Sequence, residues 1–129
     1  METQGKARIL LVDDEPALAK LMQTYLSRMG YVVHTSPDAE SAFTIVASAT
    51  EKYHLVVADV TLPGIHGDVM ALQMLTENPS LKVLLSSGYP YAVDSLPEPV
   101  QARVAFLQKP YLPNMLAKAV EELTQGRTA

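Results

Sequence analysis

Leu55-Val56-Val57-Ala58-Asp59-Val60-Thr61-Leu62-Pro63-Gly64 decides the reading of this chain. Four apolar residues run unbroken into a carboxylate, and Pro63-Gly64 marks a turn just beyond it. A continuous apolar run is the pattern of a strand buried on both faces, as in a parallel sheet. Ile9-Leu10-Leu11-Val12 ends the same way, in Asp13-Asp14. Leu81 to Leu85 leads into Ser86-Ser87-Gly88, and Val104 to Leu107 leads into Lys109-Pro110. As parallel neighbours, these strands would carry three carboxylates, a hydroxyl and an ammonium to one rim.

Between the runs lie helical patterns. Pro16 can open a helix, where its missing N–H costs nothing, and Gly30 is a C-terminal stop. Leu18, Leu21, Met22, Tyr25, Leu26 and Met29 follow at helical spacing between them. Tyr31 to Thr35 reads as a short strand. Ser36-Pro37-Asp38 opens a second helix, with Ala39, Ala42, Phe43, Val46 and Ala47 on one face. Tyr53 to Ala58 is the third strand. Asp68 is placed to cap a third helix carrying Val69, Leu72 and Leu75, which Asn78-Pro79 ends. The last helix runs from about Pro113 to Leu123, with Met115, Leu116, Ala119, Val120 and Leu123 inward. Pro90, Pro97 and Pro99 crowd the stretch from Tyr89 to Arg103, so at most a short helix fits around Tyr91 to Leu96. Alternating strands and helices imply a mostly parallel sheet covered on both faces. Such sheets bind ligands outside the carboxyl ends of their strands.

Composition narrows the function classes. The chain has 129 residues, suiting one domain, and its 48% hydrophobic content suits a packed core. A net charge of −4 without long charge runs argues against direct nucleic-acid binding. The lack of cysteine removes disulfides and thiolate metal sites and fits a reducing cytoplasm. No apolar stretch approaches the roughly 20 residues that span a bilayer. We expect frayed ends at 1–7 and 125–129 around a domain at 8–124.

The rim residues suit a phosphoryl group and a magnesium ion. Magnesium takes oxygen ligands in an octahedron and keeps several waters. Asp14 and Asp59 are the direct-ligand candidates, and Asp13 can act through water or orient Asp14. Asp13-Asp14-Glu15 is also what a helix N-terminus favours. Asp59 reads as a metal ligand, a turn residue or a nucleophile that holds a phosphoryl group as an acyl phosphate. Lys109 can neutralise such a group, and the Ser87 hydroxyl can donate to it. The isomer of the Lys109-Pro110 bond is open at this level. His34 and His54 read as structural, His66 as a solvated loop residue, and the methionines as core or interface filler.

Three segments carry a family resemblance: Ile9-Leu10-Leu11-Val12-Asp13-Asp14-Glu15-Pro16, Val57-Ala58-Asp59-Val60-Thr61-Leu62-Pro63-Gly64 and Phe106-Leu107-Gln108-Lys109-Pro110. In this order they resemble the receiver domain of two-component response regulators, the CheY-like fold. The resemblance runs from Arg8 to about Leu123. Ser86-Ser87-Gly88-Tyr89 and Phe106 to Tyr111 are most similar to receivers of hybrid sensor kinases. It implies an α/β, flavodoxin-like sheet of five parallel strands in order 2-1-3-4-5, with helices on both faces and a short or irregular fourth helix. It implies a signalling switch rather than an enzyme, with only self-catalysed phosphotransfer and autodephosphorylation. Asp59 would accept a phosphoryl group from a phosphohistidine on a sensor kinase or a histidine phosphotransfer protein. Asp13, Asp14, Asp59 and the Thr61 carbonyl would serve Mg2+. Lys109 would contact the phosphoryl group, Ser87 would be the switch hydroxyl, and Phe106 the switch aromatic. A downstream target, unidentified, and a weak homodimer are compatible with this family.

Other readings compete. Magnesium-dependent aspartyl-phosphate phosphatases usually carry a second acid two residues after the nucleophile, where this chain has Thr61. A receiver-like interaction module that is never phosphorylated has no reason to retain Asp13, Asp14, Asp59, Ser87 and Lys109 together. We expect no DNA-binding helix-turn-helix or catalytic output domain after Leu123, which suits a stand-alone regulator or a receiver excised from a larger protein. The proline-rich stretch puts output through the usual fourth-helix face in question, and Tyr89 is positioned to shield an acyl phosphate from water.

Overall fold

A computed structural model describes residues 7–124. The expected frayed ends lie outside these residues except for Ala7, which is buried. Strands β1 (Arg8–Val12), β2 (Val32–Ser36), β3 (Leu55–Asp59), β4 (Lys82–Ser87) and β5 (Val104–Gln108) form one parallel sheet in the order β2-β1-β3-β4-β5. Five α-helices connect and cover them: α1 (Pro16–Arg28), α2 (Ala39–Ser48), α3 (Gly67–Glu77), α4 (Glu98–Gln101) and α5 (Pro113–Thr124). This is the flavodoxin-like arrangement expected from the sequence.

The apolar runs are continuous because both sheet faces are covered. Leu10, Val12, Val56, Ala58, Val83 and Leu85 share a core with residues of α2, α3 and α4. Their chain neighbours Ile9, Leu11, Leu55, Val57 and Leu84 pack instead with Met22 and Leu26 of α1 and Leu116 and Val120 of α5. The strand period of two divides each run between the two layers.

Local signals set the helix ends. Pro16 starts α1, and Gly30 follows its C-cap at φ 102, a conformation costly for other residues. Helix α2 opens after Ser36-Pro37-Asp38 as expected, and the Asp38 side chain caps it by accepting from the Ser41 N–H at 2.8 Å. Asp68 does not cap α3: His66 holds that place, and Asp68 lies inside the first turn. The buried stripe of α3 is therefore Gly67, Met70, Ala71, Met74 and Leu75, while Val69 points outward. Leu21 of α1 and Met115 of α5 are also exposed, against expectation, and Ala117 and Thr124 take inward positions on α5. In each case the 3.6-residue stripe is set by which residue begins the face, not by apolarity alone.

Between β4 and β5 the chain forms a 3₁₀ turn at Val93–Ser95 and then the four-residue α4. The fourth helix is short, as the prolines require, but it lies at Glu98–Gln101 rather than around Tyr91 to Leu96, because Pro99 is tolerated in a first turn whose N–H groups have no helical partner. Arg103, just before β5, donates to the carbonyls of Leu75, Asn78 and Leu81 at 3.0, 2.6 and 3.1 Å. Its charge thus lies at the carbonyl end of α3, where cations are favoured. Sequence pattern did not mark this residue.

Gly67 fastens α3 to the end of β3. Its N–H donates to the Val60 carbonyl at 2.8 Å, and a Cβ there would meet the Asp59 carbonyl oxygen at 1.8 Å. Backbone cannot step aside as a side-chain tip can. Gly67→Ala is expected to lower unfolding free energy by about 2 kcal/mol or more, read from the urea midpoint at unchanged m-value.

Candidate functional site

The carboxyl ends of β1, β3, β4 and β5 frame a small acidic depression. Asp59, the last residue of β3, is only 7% exposed. Asp13 and Asp14 follow β1, and one carboxylate oxygen from each of Asp13, Asp14 and Asp59 lies within 4.8 Å of the others. Asp13 is buried and Asp14 exposed. The Glu15 N–H donates to Asp13 Oδ1 at 2.8 Å, which orients that carboxylate at the entry to α1. Lys109 reaches in from the end of β5, its Nζ 2.6 Å from Asp59 Oδ1. Its N–H donates to the Ser87 carbonyl at 2.8 Å, and its bond to Pro110 is cis.

The sheet brings together Asp13, Asp14, Asp59 and Lys109 as the sequence predicts. The serine pair behaves otherwise. Ser86, register partner of Asp59, donates through Oγ to Asp59 Oδ1 at 3.2 Å. Ser87 Oγ accepts from the Tyr89 N–H at 3.0 Å and so serves its own loop. Sequence reading singled out Ser87 and missed Ser86. A buried hydroxyl one register step from an acid is the signal that could have found it, given the strand pairing.

Remaining candidates lie around this centre. Thr61 is exposed in the turn after β3. Phe106 is half-buried on β5 with its ring 6.1 Å from that of Tyr91, whose hydroxyl donates to Asp68 Oδ2 at 3.3 Å. Tyr89 stands 75% exposed at the rim. His54 Nδ1 accepts from the Arg8 N–H at 2.9 Å, and His34 Nδ1 pairs with the Tyr53 hydroxyl at 2.5 Å, so both are structural. His66 is exposed before α3.

Electrostatics follow from crowding. Burial pushes the Asp13 carboxyl above its ordinary value and the Asp59 charge adds to the rise, while the Glu15 N–H and Lys109 oppose it. Burial works against the Lys109 charge, but the bond to Asp59 and the charges of Asp59 and Asp13 outweigh it, so its pKa rises. Tyr111, beside the lysine, is also pushed up, chiefly by burial. Its hydroxyl donates to Met22 Sδ at 3.2 Å.

Three clustered carboxylates form an all-oxygen donor set with an open side. That suits a hard divalent cation such as Mg2+ better than a metal wanting thiolate or imidazole. The Lys109 ammonium sets a positive charge directly on Asp59 beside these acids, the kind of charge that stabilises phosphoryl transfer.

Comparison with known proteins agrees. Residues 9–121 match the response regulator receiver domain. The chain is 29% identical over 124 residues to the sensor kinase CckA of Brucella abortus, covering 96% of this chain and 13% of that kinase. It thus spans a small part of that relative's length. The crystal structure of the receiver domain from the hybrid histidine kinase CckA superposes with a TM-score of 0.76 at 29% identity, covering 90% of this chain and 97% of that one. The response regulator TrrA of Thermotoga maritima, crystallised in complex with Mg(2+)-BeF, superposes with a TM-score of 0.78 at 29% identity, covering 91% and 98%.

Lys109 holds three like charges together. Lys109→Ala is expected to lower the stability of the metal-free protein by about 2 kcal/mol, since it strands the Asp59 carboxylate. Millimolar Mg2+ should recover part of the loss, which denaturation with and without the ion measures.

Proposed function

The chain belongs to the response regulator receiver domain family, and on that premise we propose that Asp59 is its phosphoacceptor. The observation that carries this is the Lys109 ammonium 2.6 Å from Asp59 Oδ1, with the Asp13 and Asp14 carboxylates alongside. The receiver domain would occupy residues 8–124. The donor would be a phosphohistidine on a sensor kinase or a histidine phosphotransfer protein. Asp59 attacks phosphorus, the bond to the donor imidazole breaks, and the electron pair leaves with that imidazole. A carboxylate nucleophile, unlike a hydroxyl, does not depend on a general base to take its proton.

Receivers use an acidic pocket of this kind for Mg2+. Here Asp13, Asp14, Asp59 and the Thr61 carbonyl would hold the ion, which would neutralise one side of the transferring group. Lys109 would neutralise the other side. Turned from its own loop, the Ser87 hydroxyl would donate to a phosphoryl oxygen. That turn would free space toward β5 and let the half-buried Phe106 move with it, biasing a two-state element through local charge. The chain would act as a switch with self-catalysed phosphotransfer and autodephosphorylation. Among the described residues no helix is long and apolar enough to cross a membrane.

Incubation with Mg2+ and acetyl phosphate should yield a base-labile adduct of one phosphoryl mass, absent in Asp59→Asn. Persistence of the adduct in that variant would remove the assignment. No adduct from any phosphodonor would favour a module that is never phosphorylated. Exposed Tyr89, in contrast to a buried ring, can fold over the rim at little cost. Tyr89→Ala should therefore shorten the lifetime of the adduct by about two- to fivefold, equivalent to a barrier change below about 1 kcal/mol.

A further inference from the structure

We propose that Ser86, rather than Ser87, sets how fast Asp59 gives up its phosphoryl group, by donating a hydrogen bond to the carboxylate that leaves. The inference rests on Asp59 being the phosphoacceptor. Ser86 is 4% exposed and sits at the floor of the depression. Register places it directly beside Asp59, and its Oγ donates to Asp59 Oδ1 at 3.2 Å. It shares that oxygen with the Lys109 ammonium at 2.6 Å. The two donors have different fates. Lys109 has a long, partly exposed stem and can follow the phosphoryl group as it arrives. Ser86 has a single short arm in a buried strand, so its hydroxyl stays at the carboxylate. Tyr111 lines the same depression beside Ser86 and Asp59, its own hydroxyl donating to Met22 Sδ.

The chemistry gives a direction. In hydrolysis, water oxygen bonds to phosphorus and the phosphorus–oxygen bond to Asp59 breaks. The electron pair stays on the carboxylate, and the water proton leaves with inorganic phosphate or to solvent. Charge therefore grows on the Asp59 oxygens through a loose transition state. A hydrogen bond to a carboxylate is about twice as strong as one to a neutral ester or carbonyl oxygen. Whichever Asp59 oxygen carries phosphorus, the Ser86 bond strengthens as the group departs. An interaction stronger in the transition state than in the ground state accelerates the step. In the forward direction the same bond is strongest in the free carboxylate, so it cannot speed phosphorylation. A merely structural Ser86 would affect both directions alike.

The test separates these. The wild-type chain and Ser86→Ala are charged with Mg2+ and acetyl phosphate, freed of donor, and followed by intact mass as the adduct decays. Ser86→Ala is expected to hold the adduct about three- to tenfold longer, with labelling no slower than wild type, as befits partial loss of one charge-assisted bond. Ser86→Cys, a similar volume with a weak donor, should fall between the two, and it serves as the test if the alanine variant does not fold. Unchanged decay in both variants, or equal slowing of labelling and decay, would overturn the role of Ser86 while leaving Asp59 as acceptor. Label that never reaches Asp59 would overturn both readings.

Discussion

Three carboxylates share a space that leaves their oxygens within 4.8 Å of one another, two of the side chains buried. At about 4 Å and an effective dielectric near 20, each pair of unit charges repels by roughly 4 kcal/mol. The Lys109 ammonium on Asp59 Oδ1 offsets part of that repulsion. The remainder is a standing demand for a cation, which is why the proposed metal binding and phosphoryl acceptance would belong to one site: the cation drawn in by the acids would offset the charge of an arriving phosphoryl group.

The sheet is what makes so strained a charge cluster persist. β1, β3, β4 and β5 are neighbours and all parallel, so their last residues fall on one edge. Both faces of these strands are packed in apolar side chains, which leaves the buried Asp13 and Asp59 no path to withdraw into the sheet. Gly67 braces that edge by lacking a side chain, and Arg103 ties the opposite edge, at the amino ends of β4 and β5, by binding three carbonyls. Between β4 and β5, where the ring of Tyr91 meets that of Phe106, the chain offers only a 3₁₀ turn and four helical residues.

Much of this was legible in the chain. Unbroken apolar runs ending in acids mark buried parallel strands and place Asp13, Asp14 and Asp59 at their tips. Prolines foretell the weak fourth helix, and Ser36-Pro37-Asp38 foretells the start of α2. The errors share one origin. Val69, Leu21 and Met115 are apolar and in phase with a helix, yet they face outward, because a helix stripe is broad and only the partner layer decides its centre. Asp68 looks like a cap, but Gly67 can approach the end of β3 so closely that the helix starts two residues early.

Ser86 and Ser87 show where the division falls. By itself the sequence determined the sheet, the acid cluster at its edge and the lysine that answers it, because apolar period and turn chemistry act locally. Only the tertiary structure decided which serine touches Asp59. Adjacent residues on a strand point to opposite faces, so the choice depends on the pairing of β3 with β4, and register between distant segments is set by packing that no single segment encodes.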